Sequence, residues 1–272
     1  MIAKLTVTTE CGGKCMTCPN WKTERQYMSY ENFVEIWDKI IGEERIHKVV
    51  INNVGDIYYH PECVRMLKYI NRNKRKNLYI AMVTNAAKMD FVPLIDELAI
   101  SFNGGNKESY ERVTGLDFEY ITRNIKRHYR EIKNNVKLSE IDILIFEENK
   151  ESESGIKELW DDFPGRVRVS YKYDNQQEKD LTLKEWKSNK QIFCNYLDIL
   201  NIDWNGNIVM CAHDWERKNI WGNMITDNFD DLIRNPARIK KIKEQGKGEY
   251  TGICEKCNYN IEMKEGMIRY EN

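Results

Sequence analysis

The chain has 272 residues and a formal net charge of −1, from 42 Lys or Arg and 43 Asp or Glu residues. This length suits one medium-sized domain with a smaller appendage. The balanced charge gives no overall attraction to nucleic acid, so we expect no nucleic-acid partner. No apolar run approaches the ~20 residues of a membrane span, and the first residues lack the pattern of a signal peptide. We therefore expect a cytoplasmic protein without a membrane partner.

Apolar strands and amphipathic helices alternate through the first two-thirds of the chain. The predicted strands cover residues 2–8, 47–53, 78–84, 98–102, 141–146 and 166–173. Helices are predicted after an N-cap at Ser29, from Pro61 onward, at 92–97 and at 118–134. This alternation predicts a parallel α/β fold, either a barrel or a doubly wound sheet. In both folds the functional loops lie at the carboxyl ends of the strands.

The last third follows a different pattern. A polar, charged stretch at about 174–190 predicts a linker. Beyond it, segments 197–204 and 207–211 flank Asn205-Gly206, which predicts a β-hairpin with a type I′ turn. A helix is predicted at about 229–245.

Cys11, Cys15 and Cys18 form a C-x3-C-x2-C triplet directly after the first predicted strand. Zinc structural sites and fully coordinated iron–sulfur electron carriers both need four protein ligands. Three thiolates on one loop can hold three irons of a cubane cluster and leave the fourth iron open. Because an open iron can bind a substrate or cofactor, the triplet indicates chemistry. The alternatives are a zinc site completed by a distant residue and three unrelated buried cysteines.

Four further cysteines, Cys194, Cys211, Cys254 and Cys257, make a second set in the last third of the chain. The predicted hairpin would bring the first two together across its base, and a C-x2-C turn supplies the other pair. Four thiolates complete either a 4Fe-4S cluster or a zinc site. Seven of the eight cysteines thus fall into two ligand sets, as expected in a reducing compartment.

The amino-terminal triplet resembles that of the radical S-adenosylmethionine (SAM) superfamily. The resemblance implies that residues 1–180 form a partial (β/α)6 TIM-like barrel with a 4Fe-4S cluster that binds SAM. Residues 181–272 resemble the twitch form of the SPASM extension, through the second cysteine set, the Gly206-x4-Cys211 element and Gly222-Asn223. This implies a small domain, built from a β-hairpin plus a helix, that holds a second, auxiliary 4Fe-4S cluster.

The resemblance also implies contacts to SAM after the second, third and fourth strands. Gly55 and Asp56 stand where relatives have the Gly-Glu that receives the ammonium group of SAM, and Asn85 lies in a Thr-Asn-Ala run. Ser101 matches the serine of a Ser-x-Asp-Gly element. Arg112 is a candidate for the cation that relatives carry downstream. No catalytic acid or base is assigned.

The chain is most similar to the twitch-bearing dehydrogenases of aminocyclitol antibiotic pathways, of the 2-deoxy-scyllo-inosamine dehydrogenase kind. This resemblance implies an oxidoreductase that acts on a small sugar or cyclitol alcohol and receives electrons from a flavodoxin or ferredoxin. One alternative is a radical SAM enzyme that epimerises or cross-links a peptide. The other is a zinc-binding module without catalysis.

Overall fold

The computed structural model describes residues 1–52, 54–171, 187–191, 193–255, 257, 261–263 and 267–270. Most of the predicted linker lies outside these residues. Within them, no helix is long and apolar enough to cross a membrane.

Six parallel strands form the centre of the fold. They are β1 (Ile2–Leu5), β2 (Lys48–Ile51), β3 (Tyr79–Thr84), β4 (Ile95–Ser101), β5 (Val136–Ile145) and β6 (Arg166–Tyr171). Each strand pairs in parallel with the next one along the chain, so the strand order is the sequence order. The predicted parallel α/β fold is therefore confirmed.

Helices connect most of these strands, whereas a loop at 85–94 joins β3 to β4. The helices are α1 (Tyr30–Gly42), α2 (Cys63–Arg72), α3 (Lys107–Thr114), α4 (Phe118–Arg127), α5 (Tyr129–Asn135) and α6 (Ile156–Leu159). The side chain of Ser29 caps α1 by accepting a hydrogen bond from the backbone N–H of Asn32 at 3.1 Å, as predicted.

Side chains alternate along the strands between two faces of the sheet. One face is apolar and fully buried, as at Ala3, Val49, Ile80, Ile141 and Val167. The opposite face mixes apolar side chains with charged or polar ones that are mostly half-buried, and we call it the polar face. Its polar members are Lys4, Lys48, Tyr79, Glu97, Ser101, Glu140, Asp142, Arg166, Arg168 and Ser170. The strand registers place them on the same side, because a strand's side chains change face at every residue.

The carboxy-terminal third extends the same sheet. Strands β8 (Ile199–Ile202), β9 (Asn207–Val209) and β10 (Ile220–Asn223) continue it beyond β1, and β12 (Met267–Tyr270) lies antiparallel to β6. Strands β7 (Lys187–Gln191) and β11 (Ile261–Met263) form a separate pair. Helices α7 (Phe229–Ile233) and α8 (Pro236–Gly246) follow β10. The boundary near residue 180 remains a prediction.

Two predicted helices are interrupted and one is absent. The 118–134 segment breaks at His128, and the 229–245 segment breaks before Pro236. Proline disfavours helical backbone at the preceding residue, and Asn235 accordingly has φ −51° and ψ 126°. The helix predicted at 92–97 is wrong, because strand β4 already begins at Ile95.

The predicted type I′ turn is also wrong. That turn needs positive φ at two successive residues, whereas only Gly206 has it here, at +82°. The N–H of Gly206 donates to the carbonyl of Asp203 at 2.9 Å, and the N–H of Asp203 donates to the carbonyl of Asn207 at 2.9 Å. This is a three-residue hairpin loop, in which only the left-handed position requires glycine.

Candidate functional site

The first cysteine set lies on the loop that follows β1, at the carboxyl edge of the sheet. The end of α3 holds this loop through backbone hydrogen bonds, from the N–H of Lys14 to the carbonyl of Thr114 at 2.7 Å and from Met16 to Val113 at 2.8 Å. The loop is therefore tied to a helix that packs on the sheet.

The loop after β2 also packs against the cysteine loop. The N–H of Asp56 donates to the carbonyl of Glu10 at 2.9 Å. Gly55 has φ +73°, and a Cβ atom there would overlap the carbonyl oxygen of Thr8. Glycine is thus required for this close approach.

Burial raises the pKa of the Cys11 thiol to about 11, and it raises the pKa of Cys15 and Cys18 as well. Electrostatic interactions with the other thiols contribute to the shifts of Cys11 and Cys15. Thiolates in such surroundings require a nearby positive charge, as a metal centre provides. This all-sulfur set on one loop fits three irons of a cluster.

Asp56 is almost fully buried behind the cysteine loop, with 1 % of its surface exposed. Its Oδ2 atom accepts hydrogen bonds from Thr84 Oγ1 at 2.7 Å and from the N–H of Asn85 at 2.9 Å. Its Oδ1 atom accepts from the N–H of Tyr58 at 3.1 Å. Both carboxylate oxygens thus have protein partners, and contact with the SAM ammonium group remains a prediction.

The other three predicted SAM contacts lie in different surroundings. Asn85 donates from Nδ2 to Cys11 Sγ at 3.1 Å. Ser101 ends β4 on the polar face, next to Asp142. Arg112 is on the surface, where it forms ion pairs with Glu108 and Glu151 and donates to a backbone carbonyl. Asn85 is therefore beside the cysteine loop, while roles in SAM binding remain predictions for all three.

The second cysteine set lines one cavity. Its lining includes Cys194, Cys211, Cys254 and Cys257, together with Tyr196, Leu197, Met210, His213, Gln245 and Ile253. The N–H of Cys194 donates to Gln245 Oε1 of α8 at 3.1 Å. Burial raises the pKa of Cys211 to about 12. Four thiols around one largely apolar cavity fit a closed cluster with four protein ligands.

The two cysteine sets lie at opposite ends of the same strands. Cys11 follows the carboxyl end of β1, whereas Cys194 precedes β8, which is parallel to β1 with Ile2 opposite Ile199. The chain from Ile2 to Thr8 spans at most roughly 20 Å at ~3.3 Å per residue. The polar face of the sheet fills this interval.

Sequence reasoning missed the charged residues of the polar face. Arg168 pairs with Glu140 at 2.9 Å and with Asp142 at 2.7 Å, and Lys48 pairs with Glu97 at 2.7 Å. The signal was present, since Glu140 and Asp142 alternate with the buried residues Ile141, Ile143 and Ile145 of β5. Charged residues are rarely buried without partners, so this alternation indicates that one face of the strand is polar.

Lys4 was also missed. Its Nζ atom donates to the hydroxyl of Tyr196 at 3.1 Å, and burial lowers its pKa to about 8. Lys4 interacts electrostatically with Lys48 on the polar face and with Cys211 of the second cysteine set. It therefore lies where the polar face meets the second cysteine cavity.

Residues 194–258 match the SPASM family model, described as an iron-sulfur cluster-binding domain. The match covers the whole second cysteine set and indicates an iron–sulfur cluster there. Comparison with curated protein sequences gives no significant match.

Solved structures with similar folds cover nearly the whole chain. The structure described as native anSMEcpe with bound AdoMet has a TM-score of 0.67 and 15% identity, with 95% of this chain and 87% of that chain covered. BtrN in complex with AdoMet and 2-DOIA has a TM-score of 0.57 and 13% identity, with 94% and 92% covered. The chain has the fold of the radical SAM enzymes.

Streptococcus suis SuiB bound to the precursor peptide SuiA is similar as well. Its TM-score is 0.65 at 14% identity, and the alignment covers 89% of this chain and 66% of that chain. At these identities the comparisons establish the fold of the present chain, with a SPASM domain at its carboxy-terminal end.

Proposed function

We propose that the chain is a radical SAM oxidoreductase that removes hydrogen from a small polar molecule, such as a sugar or cyclitol alcohol. Cys11, Cys15 and Cys18 would hold the SAM-binding 4Fe-4S cluster, and the second cysteine set would hold the auxiliary one. When bound, these groups supply an electron for cleavage of SAM to a hydrogen-abstracting 5′-deoxyadenosyl radical and an acceptor for the substrate's second electron.

The observation that carries this proposal is the placement of the polar face between the two cysteine sets. A substrate on this face lies within reach of both ends of the strands. SAM bound at the carboxyl edge would contact one side of the substrate, and the auxiliary site would lie beyond the other. This arrangement supports a two-electron oxidation, in which hydrogen-atom removal is followed by loss of one electron and one proton.

The residues of the polar face support a polar substrate. Arg168, Asp142 and Glu140 offer donors and acceptors on neighbouring strands, and Lys48 and Glu97 offer another such pair. We infer that these charged groups bind hydroxyl or amino groups and orient the reacting carbon.

The structure of BtrN in complex with 2-DOIA supports this substrate class, because the alignment covers nearly the full length of both chains. An electron donor such as flavodoxin or ferredoxin, and a cytoplasmic location, are part of the same proposal.

A peptide substrate is the second candidate. Two neighbours support it, anSMEcpe with the Cp18Cys peptide and SuiB with its precursor peptide SuiA, both at a TM-score of 0.65. A peptide would have to enter the same polar face with one side chain.

The proposal is tested by incubating the anaerobically reconstituted, reduced enzyme with SAM and a candidate substrate. The candidates are small sugar or cyclitol alcohols and the peptides that neighbouring genes encode. 5′-Deoxyadenosine is measured together with substrate mass. A substrate lighter by two hydrogens supports oxidation, whereas unchanged mass with inverted stereochemistry supports epimerisation. Zinc with little iron after reconstitution would contradict any radical SAM function.

A further inference from the structure

We propose that Asn85 sets the reduction potential of the cluster held by Cys11, Cys15 and Cys18, through a hydrogen bond to the sulfur of Cys11. This inference rests on the proposed function, since it assumes a cluster at that loop. It gives Asn85 a different role from direct SAM binding, and it makes Asp56 a positioning residue that acts through Asn85.

The amide of Asn85 is fixed at both ends. Its Nδ2 atom donates to Cys11 Sγ at 3.1 Å, and its Oδ1 atom accepts from the N–H of Ala87 at 2.9 Å. The Oδ1 contact decides the orientation of the amide, because only an oxygen can accept from a backbone N–H. The NH2 group must therefore face the sulfur.

Asp56 fixes the backbone of the same turn. Its Oδ2 atom accepts from the N–H of Asn85 at 2.9 Å and from Thr84 Oγ1 at 2.7 Å. Thr84 Oγ1 in turn accepts from the N–H of Ala86 at 3.0 Å. Ala86 has φ +60°, a conformation that costs energy for a residue with a side chain and persists only when its surroundings hold it.

Helix α4 supports this turn from the other side. Asn124 donates from Nδ2 to the carbonyl of Ala86 at 2.7 Å. The turn is thus held by Asp56 on one side and by Asn124 on the other, and Asn85 is the member whose side chain reaches sulfur. Asn124 therefore provides a matched control, since it contacts the turn and has no contact with the cysteine.

The chemical consequence follows from charge. A hydrogen bond to a coordinating thiolate withdraws electron density from the cluster, and it strengthens when the cluster gains an electron. The bond therefore favours the reduced state and raises the reduction potential. Removing it should make the cluster harder to reduce without removing any iron ligand.

The test is a redox titration, followed by electron paramagnetic resonance, of the reconstituted enzyme and its Asn85→Ala and Asn85→Asp variants. Asn85→Ala should lower the ratio of reduced to oxidised amino-terminal cluster about tenfold at a fixed solution potential, a shift of ~59 mV for one electron. Asn85→Asp has nearly the same shape but lacks the donor, so its potential should fall at least as far. If Asn85→Ala does not take up iron, the potential of Asn85→Asp alone decides the test.

Two controls accompany this measurement. Asn124→Ala loosens the turn but keeps the Asn85 donor, so it should shift the potential less than either Asn85 variant. The auxiliary cluster in the same samples should titrate as in the unmodified enzyme. An unchanged potential in both Asn85 variants would overturn the inference, and so would an equal shift in Asn124→Ala. If the unmodified chain binds no iron at the first cysteine set, the proposed function fails; if it binds iron and cleaves SAM, only the role of Asn85 is decided.

Discussion

Arg168 Nη2 lies 2.7 Å from Oδ2 of Asp142, its direct partner in the register between β5 and β6. About a third of each side chain remains exposed, at 34%. Burial raises the pKa of Asp142, and the charge of Arg168 acts in the opposite direction. Because a partly buried ion pair adds little to stability over apolar residues, its place on the polar face points to substrate binding.

Asp142→Asn is expected to lower kcat/KM for the substrate by roughly 10- to 100-fold, because a charged hydrogen-bond acceptor is lost. Because Asp142 lies next to Ser101, a predicted SAM contact, the affinity for SAM is measured in the same variant, and the loss in kcat/KM should exceed any loss in SAM affinity. Steady-state kinetics and equilibrium dialysis of SAM measure the two effects separately.

The matched control is Asp162→Asn. Asp162 also forms an ion pair, with Lys126 at 2.9 Å, but this pair lies on the outer surface with more than a third of each side chain exposed. The control should have normal kcat/KM. Equal losses in both variants would mean that Asp142 acts through general stability and would remove it from the substrate site.

Substitutions in the two cysteine sets should affect SAM cleavage and substrate turnover differently. Reconstituted enzyme should contain about eight irons, four for each cubane. Cys11→Ala and Cys254→Ala should each lose about half of this iron, but only Cys11→Ala should abolish SAM cleavage. Cys254→Ala should retain more SAM cleavage than substrate turnover. Normal turnover in Cys254→Ala would exclude the auxiliary cluster from the reaction.

Much of the fold could be predicted from the sequence because its signals are local. The central strands are rich in apolar residues, and the cap at Ser29 and the C-x3-C-x2-C spacing need no distant partner. The position of the functional loops at the strand ends followed from parallel topology, while the individual SAM contacts came from the family resemblance. The short helix expected at 92–97 was wrong because Ile95-Asp96-Glu97-Leu98 fits both helical and strand periodicity.

The contacts within the candidate site could not be predicted from the sequence, because they join residues that are far apart in the chain. Asp56 is buried with partners from residues 84 and 85, and no local pattern shows that its carboxylate is already engaged. From the sequence, Arg112 was a candidate for the cation of the SAM site, yet its guanidinium forms ion pairs with Glu108 and Glu151. Such partners come from elements that only the folded chain brings together.

Asp96 gives a pH-dependent prediction for stability. It is buried, and its carboxylate accepts hydrogen bonds from Lys137 at 2.5 Å, from Lys74 at 2.8 Å and from the N–H of Ile80 at 2.8 Å. Burial alone would raise the pKa of Asp96, but the bonds from Lys137 and Lys74 outweigh it and hold the pKa below its ordinary value. The charged carboxylate therefore stabilises the folded state.

Asp96→Asn should lower the free energy of unfolding by about 2 kcal/mol at pH 7. A lowered folded-state pKa gives a contribution that is complete above the unfolded pKa of about 3.9 and disappears as pH falls through the folded value. The difference between the two proteins should therefore be constant from pH 7 to about 5 and shrink below 4. Anaerobic urea unfolding measures it, with exposed Asp161→Asn as the control. A difference that grows on acidification would contradict the assignment.

Gly55→Ala should damage the cysteine loop directly. At φ +73° an alanine is strained by about 1–2 kcal/mol, and its Cβ would also overlap the carbonyl of Thr8 just before the loop. We expect a loss of at least ~2 kcal/mol in stability and reduced iron at the first cysteine set.

Gly42→Ala is the control, because Gly42 ends α1 with nothing within 4 Å of its Cβ position. That variant should keep full iron and gain up to ~1 kcal/mol from reduced chain entropy in the unfolded state. Normal iron in Gly55→Ala would show that the two loops can separate without disturbing the cysteines.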